Sequence, residues 1–261
     1  MDKHGAKTEY EVGVAGTTEI DDAGYAQPPV ANARRFGSIG TLGEKTLHAV
    51  LKRYIEPDTQ KHEVSVGSYV SDVVNDYGIT EIQTRGFEKL RNKLSALLET
   101  SIVTVVYPIP KTKWLLWIDN ETGEVTKRRK SPKHGSIYDA VPELYKIKHL
   151  LPHQNFRLCV ILIDIEEYRH LDGWSDDRKR GSTRHNRVPV EIVEEIRFNS
   201  VSDYLRLVPD SLDDGFTSKD YKAAARVSQR IAQTALNILY YLGVVERTGK
   251  QGKMYVYCRA K

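Results

Sequence analysis

The stretch from Tyr69 to Leu98 constrains this fold more than any other part of the chain. Tyr69–Val74 and Ile79–Thr84 read as two short strands folded about the turn Asn75-Asp76-Tyr77-Gly78. Directly after them, Phe87, Leu90, Leu94, Leu97 and Leu98 recur at three- and four-residue spacing. That spacing predicts a helix over 87–98 with one apolar face, leaving Lys89, Arg91 and Lys93 toward water. Ser101–Tyr107 follows as a buried strand ended by Pro108. A hairpin, a helix and a buried strand in immediate succession can bury all their apolar faces only by layering helix on sheet.

The same alternation runs through the flanking sequence. Leu47, Val50, Leu51 and Tyr54 place an amphipathic helix in Leu42–Tyr54. Trp114–Ile118 and Val125–Arg129 flank a turn at Asn120–Glu124 as a second hairpin. Ile137–Leu151 is mostly helical with a break at Pro142, and Phe156–Ile165 is another buried strand. Ser175–Arg187 contains no apolar residue and reads as a loop, from which Val188–Phe198 returns as a strand. The expectation is an α/β domain over 42–198, a mixed sheet flanked by helices. Residues 1–41, rich in Gly, Ala, Thr and Asp, are expected to form a flexible extension.

Composition excludes several classes. No apolar run reaches the roughly 18 residues a membrane helix needs, and the first residues lack the apolar core of a signal peptide. Cys159 and Cys258 have no CxxC partner or His at ligand spacing, so neither a disulfide framework nor a zinc site is expected. The expected compartment is the cytoplasm, with no membrane partner.

Charge is unevenly placed. Residues 217–261 hold nine Lys/Arg against two Asp/Glu, whereas 188–216 hold two against seven. Within 199–261, Thr217-Ser218 can cap a helix over 219–225, and a second helix covers 228–242 with Gly243 at its end. Strands at 244–247 and 254–257 then surround a Gly-containing turn. Helix, short turn, helix and hairpin is the order of a winged helix, with Tyr204–Val208 a candidate first helix. Arg226, Ser228, Gln229, Arg230 and Gln233 would face a DNA groove, with Lys250 and Lys253 on phosphates at the wing tip. DNA is the expected partner and RNA the alternative; a homodimer or a protein partner is compatible with the sequence. The run Lys127-Arg128-Arg129-Lys130 with Lys133, and the loop 178–187 around Arg180, Gly181 and Ser182, are further phosphate-contact candidates or plain solvated surface.

The first hairpin carries the candidate chemistry. Closing it symmetrically about residues 76 and 77 sets residue 74 opposite 79 and Asp72 opposite Glu81. Opposed side chains have Cβ atoms about 4.5–5.5 Å apart, so the two carboxylates repel unless a cation lies between them. Mg²⁺, or Mn²⁺, would relieve that repulsion and complete its shell with water and phosphate oxygens. Gln83, on the same strand face as Glu81, could orient a water. Asp72, then Glu81-Ile82-Gln83, then the helix 87–98 resembles the PD-(D/E)xK nuclease superfamily. That resemblance implies a restriction-endonuclease-like core, a metal held by Asp72 and Glu81, and assistance from Glu44 on the preceding helix. Gln83 stands where the usual member has Lys, a change found in some restriction enzymes of the superfamily. The segments GEKTLHAVLKRY, EIQT and YPIPKTKWLLWID also look similar to a bacterial family of unassigned role, over about 42–257. Two functions stand open: a metal-dependent nuclease acting on DNA, and a non-catalytic DNA-binding regulator built on an inactive nuclease-like domain. His48, at helical spacing from Glu44, is either a support to the site or an ordinary surface or core histidine.

Overall fold

A computed structural model of the chain describes residues 34–35, 46–170 and 183–260. Strand β1 is Arg34–Arg35, and helix α1 spans Thr46–Ile55. A three-stranded meander follows: β2 (His62–Val66), β3 (Tyr69–Asn75) and β4 (Gly78–Ile82), antiparallel throughout. The turn between β3 and β4 requires glycine at Gly78. Its φ is +112°, and a Cβ there would lie 2.5 Å from the Ile102 carbonyl oxygen. The expected register holds, with Val74 opposite Ile79. Sequence reading missed β2, a short strand of alternating intermediate and exposed residues.

After a 3-10 turn at Phe87–Leu90, α2 (Arg91–Leu98) crosses to β5 (Val103–Ile118), which runs parallel to β4. The strand does not stop at Pro108: Pro108 and Pro110 both lie within β5 and keep register with β7. Prolines are tolerated there because pairing with β4 ends at Ile82–Val106, which frees that edge of β5 from supplying N–H groups. Trp114–Ile118 is therefore the end of one long strand, and β6 (Arg129–Lys130) folds back on it. Helix α3 (Val141–Lys146) opens with Pro142 in its first turn, where proline fits, and is flanked by 3-10 turns at Ile137–Ala140 and Lys148–Leu150. Strand β7 (Phe156–His170) is parallel to β5, and β8 (Thr183–Phe198), starting five residues before the expected Val188, is antiparallel to β7.

The strand order β1-β8-β7-β5-β4-β3-β2 makes one large mixed sheet. The crossovers β4-α2-β5 and β5-α3-β7 step in one direction, so a shared hand puts both helices on one face. Leu94, Leu97 and Leu98 of α2 and Val141 and Leu144 of α3 accordingly share a core with Val103, Val105, Leu158 and Val160. Helix α1 covers the other face, where Leu47 and Leu51 pack on Ile82, Val106, Ile161, Ile163 and Ile165.

The C-terminal segment is a 3-10 helix at Ser202–Leu207, then β9 (Phe216–Thr217), α4 (Ser218–Ala225), α5 (Gln229–Tyr241), β10 (Val245–Gln251) and β11 (Met254–Arg259). Strands β10, β11 and β9 form a small separate sheet. Thr217 and Asp220 form a reciprocal capping box on α4, and Ser228 caps α5. The segment after residue 199 packs into the same apolar core as α3: Tyr204, Leu207, Tyr221, Leu236 and Leu239 join Leu144 and Ile147. Lys148 donates to Asn237 across this contact (2.9 Å). The extension expected at 1–41 lies outside the described residues apart from Arg34–Arg35, which pair with Glu191 and Ile192 at the edge of β8. Among the described residues, no helix is long and apolar enough to cross a membrane.

Candidate functional site

The site forms where β3 and β4 stop pairing. Their backbone ladder ends at Val73–Thr80. Beyond it, the Ile82 amide donates to Asp72 Oδ2 at 2.7 Å, so the Asp72 carboxylate sits against the last residues of β4. His48 of α1 reaches the same point. Its Nε2 lies 3.2 Å from Asp72 Oδ2 and 3.2 Å from the Ile82 carbonyl oxygen. His48 is thus a support of the carboxylate, the second of the two roles open to it in the sequence being set aside.

Glu81 is almost wholly buried, and Lys93 of α2 donates to its Oε2 at 2.5 Å and to the Val70 carbonyl at 2.7 Å. The expectation that Lys93 faces water is therefore wrong. On the helix it neighbours Leu90 and Leu97, so it lies at the border of the apolar stripe, and its long aliphatic stem carries the ammonium over that border. Glu81 Oε1 and Ser71 Oγ are both buried without completing a hydrogen bond. A buried acceptor left open beside a second carboxylate is costly unless something supplies positive charge.

The two carboxylates differ in acidity. Burial works to raise Asp72, but the His48 and Ile82 hydrogen bonds outweigh it and hold the group below its ordinary pKa. Burial raises Glu81 above its ordinary value, with the Asp72 charge adding and Lys93 opposing. A third carboxylate, Glu63 on β2, is within electrostatic reach of Asp72 and is itself held by Lys52 of α1 at 2.6 Å. Gln83 lies just past β4, where its side-chain amide donates to the Arg85 carbonyl at 2.5 Å rather than standing free. Glu44 lies outside the described residues. Among the described residues, no three His, Cys, Asp or Glu side chains converge as a ready-made metal cage.

The nucleic-acid candidates fall into two groups. Arg226, Ser228, Arg230 and Gln233 are exposed around the start of α5, and Lys250 and Lys253 are exposed near the tip of the β10–β11 hairpin. Gln229 is partly buried and donates to Ser218 Oγ (2.9 Å), and Ser228 Oγ is used in capping Ile231 N. Arg128 is committed elsewhere: it pairs with Glu166 at 3.2 Å and lies over the Trp114 ring at 4.2 Å. Arg129 is exposed on β6, and Arg180 lies outside the described residues. Sequence reading missed Arg247, which lies over Tyr240 (4.1 Å) and Tyr255 (3.8 Å) and ties the hairpin to the end of α5.

The segment that builds this sheet is a family unit. A family model described as a domain of unknown function (DUF8091) matches residues 45–199, more than half of the chain, and the chain belongs to that family. Over 151 residues the chain is also 35% identical to an uncharacterized protein of Treponema pallidum (strain Nichols). That match covers 58% of this chain and only 57% of the relative's length. No solved structure matches.

Proposed function

We propose that the protein is a metal-dependent nuclease of the PD-(D/E)xK type acting on DNA, with a winged-helix unit as its second DNA-binding element. The observation that carries this reading is the convergence of Asp72, Glu81 and Lys93 at the point where two strands diverge. The order α1-β2-β3-β4-α2-β5, with the third strand antiparallel to the second and parallel to the fourth, supports a restriction-endonuclease-like core. Lys93 supplies from the following helix the cation that Gln83 lacks.

The donor set suits Mg²⁺ or Mn²⁺. Glu81 Oε1 is a buried acceptor without a partner, and Asp72 is the carboxylate next to it. With two protein carboxylates, most of the ion's shell would be water and phosphate oxygen, as is usual for Mg²⁺. Bound there, the ion would neutralise charge on the phosphate and make a coordinated water more acidic. The chain's own residues do the positioning. His48 and the Ile82 amide fix Asp72, keeping it ionised and oriented. Lys93 holds Glu81 in its charged form against the cost of burial, and its ammonium places positive charge where the phosphate would develop negative charge.

The C-terminal elements β9-α4-α5-β10-β11 support the winged-helix part, with the exposed start of α5 toward the groove. Charge removal at Arg226, Arg230, Lys250 and Lys253 is expected to weaken DNA binding and to lower the salt slope by about one unit per lost phosphate contact. An unchanged slope in the quadruple variant would move DNA binding away from this unit.

The test of the activity is direct. Purified full-length protein should cut DNA in Mg²⁺ or Mn²⁺ and stop on chelation. Salt-sensitive binding without cleavage, across metals and substrates, would leave the second function, a DNA-binding regulator with an inactive nuclease-like domain. The missing Lys at position 83 is the feature that favours that alternative.

A further inference from the structure

Strand β7 continues past the core. Ile163 and Ile165 pack under α1, and the next residue on that face, Glu167, is fully buried. Four cations surround it. Arg169 contacts Glu167 Oε1 through Nε (2.8 Å) and Nη2 (2.5 Å). On Oε2, Arg187 Nε lies at 3.0 Å, Lys113 Nζ at 3.4 Å and Arg184 Nε at 3.6 Å. Strand register makes this arrangement: Arg187 is directly opposite Glu167 on β8, and Lys113 on β5 is opposite Ile165.

One carboxylate against four cations leaves an excess of three positive charges among the described residues. The cations also reach solvent: Lys113, Arg187 and Arg184 have side chains 23%, 20% and 46% exposed. Arg184 and Arg187 face Glu167 with Nε, which turns the Nη pair of each guanidinium away from it. Such a pair matches two oxygens of a phosphate. The crowding has a cost. Burial, and then repulsion from Arg187, pull Lys113 and Arg184 below their ordinary pKa values.

The cluster borders the candidate site. Asn186, next to Arg187, donates to Thr46 Oγ1 (2.7 Å) in the first turn of α1, two residues before His48. Arg85, whose carbonyl holds Gln83, is within electrostatic reach of Arg184. We propose that Lys113, Arg184 and Arg187, braced by Glu167, bind a backbone phosphate of a nucleic-acid strand beside the phosphate held at Asp72 and Glu81. The identity of the strand as substrate rests on the nuclease reading; the binding of phosphate does not.

The test uses full-length protein in EDTA, so that binding is read without cleavage. A fluorescein-labelled oligonucleotide followed by anisotropy should bind the Arg184→Gln/Arg187→Gln variant at least tenfold more weakly, with a salt slope lower by about 1.5. Removing two charges elsewhere, by Lys127→Gln/Lys130→Gln, should weaken it less. Asp72→Ala should keep full affinity in EDTA whether or not the wild type cleaves, so the two proposals fail separately. Inorganic phosphate should raise the wild-type melting temperature above chloride at equal ionic strength, and not that of the arginine variant. Unchanged affinity and slope in the arginine variant overturn the proposal. A phosphate response with unchanged oligonucleotide affinity overturns the strand in favour of a small phosphate compound. If the arginine variant does not fold, the Nε–Hε NMR signals of Arg184 and Arg187 in the wild type decide: movement on adding the oligonucleotide supports the site, and stillness overturns it.

Discussion

Asp72→Ala and Glu81→Ala are each expected to reduce Mg²⁺-dependent cleavage to background, and Lys93→Met to lower it about 10²–10³-fold. The three residues act on one another. Burial raises the Glu81 pKa, the Asp72 charge raises it further, and Lys93 pulls it back. Removing the Lys93 charge therefore raises Glu81 again, and the acidic limb of the pH–rate profile should move to higher pH. Placing a cation two residues beyond Glu81, by Gln83→Lys in the Lys93→Met background, should restore cleavage to within about tenfold of wild type. That rescue separates loss of a positioned charge from loss of helix packing, because a lysine at 83 cannot repair contacts of α2. Full cleavage in Asp72→Ala, or in Lys93→Met with an unmoved pH limb, would sink the assignment.

Much of this site is legible in the sequence. The hairpin register follows from a four-residue turn ending in a glycine that only Gly can occupy, and it sets Val74 against Ile79. The helix after it follows from leucine spacing. Lys93 is not legible by residue type, since a lysine on a helix border reads as solvated until the sheet edge beside it is known. His48 needs the same tertiary knowledge, because its partners Asp72 and Ile82 lie on strands far along the chain from α1. The long strands are cut short in the sequence reading for a different reason. Pro108 and the charged run after Ile165 both resemble strand ends, yet β5 lacks a neighbour where its prolines fall, and the charges on β7 and β8 satisfy one another across the sheet. Strand parity alone puts Glu167 on the same face as Ile163 and Ile165, so an extended β7 would have shown a carboxylate at a core position.

Glu167 gives the largest expected effect on stability. Burial opposes its charge, but Lys113, Arg169 and Arg187 more than offset this and hold its pKa down at about 2. A group with a depressed folded-state pKa contributes stability above its unfolded value, near 4.5, and the contribution is lost as pH falls toward about 2. Glu167→Gln keeps the shape, removes the charge and leaves four cations facing one another. Urea unfolding at pH 7 should show the variant less stable by about 3 kcal/mol. The gap should stay level down to about pH 5 and narrow below pH 4.5, because only the wild type loses its ion pairs there. A gap as wide at pH 3 as at pH 7 would mean that the glutamate acts through packing and not through charge. Inorganic phosphate adds a second reading of the same cluster. In Glu167→Gln the anion would meet one more uncompensated positive charge, so phosphate should stabilise the variant more than the wild type. A variant that phosphate helps less would show that Glu167 holds the arginine forks in place and that their geometry, more than their excess charge, makes the anion site.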